Sequence, residues 1–193
     1  MKYRSLLVFG PPGAGKGTLG RALSVASGHY HLSSGDLFRG LAPDSPGGKL
    51  YHSHAHEGRL VPDDVTLEVW HRYVEGLIAT NRYFPSKQLL LLDGIPRTAA
   101  QATMIERHAD VLHVIVLDVA KVEILIQRMA KRAGIEGRRD DRENVIATRM
   151  RVYEEETKAI LKHYSPSIVT HINGDQKPVE VLRDVLVKLS SIL

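Results

Sequence analysis

Apolar runs of strand length recur along the chain at Leu6–Phe9, Leu89–Leu92, Val111–Leu117 and Ile168–Ile172, with a weaker candidate at His29–Leu32. Between them lie longer segments whose apolar positions return with helical spacing. This alternation predicts a parallel α/β architecture, because parallel strands need long crossovers that are usually helices. The run Leu89-Leu90-Leu91-Leu92 has no polar alternation, the pattern of a central strand covered on both faces. Two irregular stretches interrupt the scheme. Ala42–Gly48 holds two prolines and two glycines and introduces a helical segment reaching Gly58. Ala133–Asp141 is short, glycine-containing and highly charged. Beyond it, Ile146, Met150, Tyr153, Ile160, Leu161 and Tyr164 form an apolar stripe that predicts one long helix. With no internal repeat and no linker, residues 1–193 read as one domain carrying two flaps.

Composition narrows the options. At 193 residues and 43% hydrophobic content a continuous core needs no disulfide or structural metal. The chain has no cysteine, which excludes thiolate zinc sites and cysteine nucleophiles and suits a reducing compartment. No apolar run approaches the ~18 residues that span a bilayer, and Met1-Lys2-Tyr3-Arg4 leads into a strand-like run instead of a signal-peptide core. A cytoplasmic protein with no membrane partner is expected. A net charge of +4 would serve nucleic acid or small polyanions equally.

The chemistry begins at Leu6-Leu7-Val8-Phe9, which runs into Gly10-Pro11-Pro12-Gly13-Ala14-Gly15-Lys16-Gly17-Thr18. A glycine-rich turn between a strand and a helix lets backbone N–H groups converge on phosphate oxygens, and Lys16 can bridge the outer phosphates. Gly17 stands where a hydroxyl residue commonly follows the lysine, with Thr18 one step later. This ending resembles the nucleoside monophosphate kinases.

From there, matches to adenylate kinases with a short lid accumulate in order: Ser33–Arg39, Gly58–Asp63, Leu92–Thr98 with Gln101, Arg128 and Arg132, Gly137–Asp141 with Arg149 and Tyr153, and Asn173-Gly174. The resemblance implies a P-loop NTPase-type five-stranded parallel sheet with helices on both faces, an AMP-binding flap at about 33–63 and a short lid at about 133–141. The implied reaction is reversible phosphoryl transfer from MgATP to AMP, giving two ADP. Gly13, Ala14, Gly15, Lys16, Gly17, Thr18 and Arg128 would bind ATP. Ser34, Arg39, Leu60, Val61, Gly94, Arg97, Gln101, Arg138 and Arg149 would bind AMP. The catalytic set would be Lys16, Arg97, Arg132, Arg138 and Arg149, with Asp93 holding Mg2+ through water. Ile95 and Ser34 depart mildly from the family pattern, and Asp175-Gln176-Lys177 is one residue longer than it.

Physical chemistry supports such a set. Two phosphate chains brought to ~4 Å repel by ~4 kcal/mol per unit-charge pair at an effective dielectric near 20, so several cations must meet at one point. Arginine suits that task because its planar fork grips phosphate in pairs of bonds and stays charged. The acceptor is itself anionic, so no general base is required. Arg128 and Arg132, four apart, share a helical face. Asp118 also follows an apolar run but is read as a helix start. Asp140 and Asp141 either hold lid arginines or cap the next helix, and Arg142 stays outside the site.

Three rival readings remain to be weighed. A UMP/CMP kinase shares most of these residues, but Thr98 and the donor-acceptor amide of Gln101 favour adenine. A nucleic-acid-binding protein would exploit the basic stretch 128–151, yet Glu136, Asp140, Asp141 and Glu143 interrupt it and no aromatic platform accompanies it. His52, His54 and His56 suggest a metal cluster but lack a further ligand at fixed spacing, so surface histidines and no structural zinc are expected. The partners expected are ATP, AMP and ADP, with no nucleic acid, and the chain is expected to be monomeric.

Overall fold

A computed structural model describes residues 2–55, 57–137, 141 and 143–193. The strands are β1 (Tyr3–Phe9), β2 (Tyr30–Ser33), β3 (Leu90–Asp93), β4 (Ala109–Asp118) and β5 (Val169–Asn173). They form one parallel sheet in the order β2-β3-β1-β4-β5. The α-helices are α1 (Lys16–Ser27), α2 (Ser34–Arg39), α3 (Pro46–Ala55), α4 (Asp63–Ala79), α5 (Ala99–Ile105), α6 (Val122–Glu136), α7 (Glu143–Val152) and α8 (Pro178–Leu189). All five apolar runs are therefore strands, and the four-residue leucine run is central as its composition requires.

Successive side chains of a strand point to opposite faces, so the sheet builds two cores. Leu7, Phe9, Leu90, Leu92, Val114 and Val116 pack on one face with Trp70 and Val74 of α4 and Ile105 of α5. Leu6, Val8, Leu91, Ile115 and Leu117 pack on the other with Leu23 of α1, Met129 of α6 and Val185 of α8. Sandwiching β1 and β3 in this way brings their carboxyl ends together, with Val8 opposite Asp93 in register. The loops that follow these two strands therefore meet at one edge.

Three element boundaries differ from the sequence expectation. Helix α3 begins inside the irregular stretch, because Pro46 is acceptable in a first helical turn, where its missing N–H is not needed. Helix α6 runs through Ala133 to Glu136 and stops at Gly137, whose φ of 64° makes the left-handed C-cap. Gly134 is exposed with no atom near its missing Cβ, so the helix simply passes through it. The long helix expected over 146–164 starts at Glu143 but leaves α geometry after Val152, passing through a π turn at Tyr153–Thr157 and a 3₁₀ segment at Lys158–His163. Among the described residues, no helix is long and apolar enough to cross a membrane.

Candidate active site

The turn from β1 into α1 is shaped by glycines that cannot be replaced freely. Gly10, Gly13 and Gly15 have φ of 145°, 84° and 97°. A Cβ on Gly10 would lie 2.8 Å from the Leu117 carbonyl oxygen, and one on Gly13 would lie 2.7 Å from that of Leu125. The loop is thus pressed against the end of β4 and the start of α6. Gly15 has nothing within 4 Å of its missing Cβ, which leaves the N-terminus of α1 open to a ligand beside Gly17 and the exposed Thr18. Lys16 folds back over the loop, its ammonium donating to the carbonyls of Gly10 at 2.7 Å and Pro11 at 3.0 Å. Burial pushes this ammonium down to about 8. Asp93 opposes that shift, while Arg97, Arg149 and Arg132 reinforce it.

The turn after β3 supplies the second wall. Gly94 (φ 78°) would bring a Cβ within 2.8 Å of Ser34 Oγ and 3.0 Å of Arg97 Nη2. Its carbonyl accepts from Ser34 Oγ at 2.6 Å and Arg97 Nε at 2.7 Å. A cis Ile95-Pro96 bond follows, and Thr157 Oγ1 donates to the Arg97 carbonyl at 3.1 Å. Burial first, then the nearby positive charge of Arg149, lowers the Arg97 guanidinium from its ordinary value, with Asp93 and Tyr51 opposing and Arg39 adding to the fall. Arg39 itself lies along α2, bonded to Asp36 at 2.6 Å. The glycine at 35 lets it lie there, since a Cβ would meet the guanidinium at 2.9 Å.

These two turns, α2, α3 and the segment from Arg149 to Thr157 border an open cleft. Lys16, Arg39, Arg97 and Arg149 line it with Ser34, Thr66, Gly94 and Gln101, and Leu60 and Val61 give it an apolar wall. Arg132 lies outside this lining but is joined to it, since Asp141 accepts hydrogen bonds from both Arg132 and Arg149. The Asp141 carboxylate is fully buried. Of the two roles open to it in the sequence, arginine holding is thus the one seen. Arg128 donates to the Gly174 carbonyl at 3.0 Å, tying α6 to the loop after β5. Arg138, Arg139, Asp140, Arg142 and His56 lie outside the described residues.

Asp93 ends β3 beside the phosphate loop. Its carboxylate accepts no hydrogen bond from the described residues; His31 Nε2 lies 3.7 Å from it, and its charge also acts on Lys16 and Arg97. A nearly sealed carboxylate beside Gly17, with no hydrogen bond from the described residues, fits the water shell of a hard cation. Asp118 does not start a helix. It ends β4 and bonds His171 at 2.8 Å, while α6 starts after Lys121. No group of three possible metal-ligating side chains is found among the described residues. His54 instead bonds the Leu50 carbonyl at 2.9 Å and His52 packs edge-on against Tyr51.

Sequence reasoning missed Asp63, His31, Tyr51 and Thr157 as parts of this neighbourhood. Asp63 stood in a quoted motif, but its contacts with Thr98 and Gln101 are made 35 and 38 residues away, and no local signal reveals them.

Comparison with known proteins decides what this cleft belongs to. The sequence model of the family described as adenylate kinase matches residues 8–169. The chain belongs to the adenylate kinase family. Curated relatives named adenylate kinase include those of Nocardia farcinica, 38% identical over 86% of this chain and 88% of its own length, and Corynebacterium diphtheriae, 37% identical over the same shares. That of Thermus thermophilus is 33% identical over 92% of both. The matched region contains the phosphate loop, the turn after β3 and every described arginine of the cleft, while β5 beyond Val169 and the loop after it lie outside the match.

Proposed function

We propose that the enzyme transfers the terminal phosphoryl group of MgATP to AMP, with ATP held by the phosphate loop and AMP in the cleft over Gly94–Gln101. The observation that carries the reading is the gathering of Lys16, Arg39, Arg97 and Arg149 around one cleft. Such a cluster of cations is self-repelling, and the lowered Lys16 and Arg97 values express burial first and that repulsion second, with Asp93 opposing. Phosphate groups are the ligands that relieve it.

In this reading Lys16 leaves the Gly10 and Pro11 carbonyls for the outer phosphates of ATP, and the N–H groups from Gly13 to Thr18 cradle the chain of phosphates. Arg128, at the loop after β5, lies over the ATP base. Arg39 and Arg97 hold the AMP phosphate, Ser34 and Gln101 face its base, and Leu60 and Val61 pack against it. Arg132 and Arg149, with Arg138, then face the group in flight. Asp93 would hold Mg2+ through water, and the ion would offset the charge of the ATP phosphates. Because the attacking oxygen is already anionic, this chain need only position the two nucleotides and stabilise charge. The segments 33–63 and 133–141 act as flap and lid of a single monomeric domain, in the cytoplasm, with no nucleic-acid or membrane partner.

Two rivals fare worse. The curated relatives cited are named adenylate kinase, none a pyrimidine kinase, and three of the basic residues in 128–149, namely Arg128, Arg132 and Arg149, bond Gly174 and Asp141. The test is Lys16→Met: a folded protein by circular dichroism whose turnover of AMP with MgATP falls at least ~100-fold. Near-normal turnover would contradict the cradle.

A further inference from the structure

The Gln101 amide is held at both ends. Its Oε1 accepts from the Arg97 backbone N–H at 2.7 Å, and its Nε2 donates to Asp63 Oδ1 at 2.7 Å. Asp63 is itself fixed, because its other carboxylate oxygen accepts from Thr98 Oγ1 at 2.9 Å. Thr98 caps α5 by accepting from the Gln101 N–H at 3.1 Å, and Gln101 is only 2% exposed. The arrangement resembles a capping box, except that the glutamine reaches Arg97, one residue before the cap.

An amide carries two N–H donors and two acceptor lone pairs, so one of each remains for a ligand in the cleft that Gln101 lines. Which end presents the donor is dictated by the partners. Turning the amide over would put Oε1 against the Asp63 carboxylate and Nε2–H against the Arg97 N–H, leaving two buried groups repelled and unpaired.

We infer that Asp63 is a specificity-determining positioning residue: by locking the Gln101 amide it selects a 6-aminopurine acceptor and rejects a 6-oxopurine. The inference rests on the reading of Gln101 as the group that faces the acceptor base. Adenine offers an amino donor at C6 beside an acceptor at N1, which the locked acceptor and donor match. Hypoxanthine and guanine reverse both, with an acceptor at O6 beside a donor at N1. A glutamine free to turn would accept either base. The lock removes that freedom and acts as a repulsive element against the wrong base.

The test compares kcat/KM for AMP and for inosine monophosphate at saturating MgATP in wild type, Asp63→Asn and Gln101→Leu. An asparagine at 63 can donate to a turned Oε1. Asp63→Asn is therefore expected to narrow the AMP preference by roughly ten-fold or more, with KM for ATP unchanged. Equal losses with both acceptors, leaving the ratio as in wild type, would overturn the inference and make Asp63 merely structural. Gln101→Leu separates the two levels. If it collapses the ratio while Asp63→Asn does not, only the lock fails. If it leaves the ratio untouched, the reading of Gln101 as base reader fails, and the inference with it. Should Asp63→Asn not fold by thermal melting, Asp63→Ala removes the carboxylate that repels a turned Oε1 and is expected to narrow the ratio in the same direction. An unchanged ratio there is equally contradictory.

Discussion

Arg132 grips Asp141 through two hydrogen bonds, Nε to Oδ2 at 2.6 Å and Nη2 to Oδ1 at 2.9 Å, on a carboxylate sealed from solvent. Arg149 donates to the same carboxylate, so one buried anion gathers guanidinium groups from α6 and α7 beside the cleft. Planar paired contacts of this kind fix direction as well as distance. The two arginines are therefore placed before any nucleotide arrives, which lowers the entropy lost when phosphate binds.

Asp141→Ala should then harm both fold and rate. Removing one partner of a buried ionic group leaves the others uncompensated, for about 3 kcal/mol of stability, and turnover should fall ~10- to 100-fold as the arginines lose their aim. Chemical denaturation and steady-state assays of the same preparation check this. Stability lost with turnover intact would separate Asp141 from the chemistry.

Lys16 gives the molecule a pH signature. Its folded value of about 8 lies below the ordinary 10.5, so between those pH values the unfolded chain binds a proton that the folded one does not. Stability must rise with pH across that window, since burial of the charged ammonium is unfavourable below it. Above pH ~10 the sign reverses, because Tyr83 and Tyr153, pushed up to about 12 chiefly by burial, ionise first in the unfolded chain. Denaturation of wild type and Lys16→Met from pH 7 to 10 should show a gain for wild type alone. In turnover, kcat/KM for MgATP should decline as pH rises through about 8, because a neutral amine no longer holds phosphate.

Metal dependence should be confined to catalysis. Removing Mg2+ with a chelator is expected to abolish turnover reversibly. Removing zinc while Mg2+ is resupplied should leave the melting temperature unchanged, because the chain has no thiols. A large fall in melting temperature would revive the histidine segment 52–56 as a structural site.

How much of this was legible in the sequence follows from the range of each interaction. The phosphate loop could be read because its glycines, lysine and flanking strand are contiguous, although the backbone that Gly10 and Gly13 press against, at Leu117 and Leu125, is distant in sequence. The central strand could be read because both its faces are buried. The irregular stretch expected from Ala133 begins inside helix α6, because an exposed helical glycine such as Gly134 costs only ~1 kcal/mol and the stop is Gly137. The π turn at Tyr153–Thr157 has no signature in the apolar stripe, yet it accompanies the Thr157 hydroxyl bond to Arg97. The Asp63–Gln101 contact joins α4 to α5, and Asp141 was ambiguous because the same carboxylate suits a helix cap or an arginine. Such choices are made by tertiary packing.

The most direct test of the account is the acceptor itself. Purified protein with MgATP would be offered AMP, CMP, UMP and GMP in parallel, and the nucleotide products separated by chromatography. The account predicts rapid conversion with AMP, two ADP appearing for each ATP and AMP consumed, and at least ~100-fold slower turnover with the other three. Faster phosphorylation of CMP or UMP than of AMP, or no AMP-dependent loss of ATP, would contradict it.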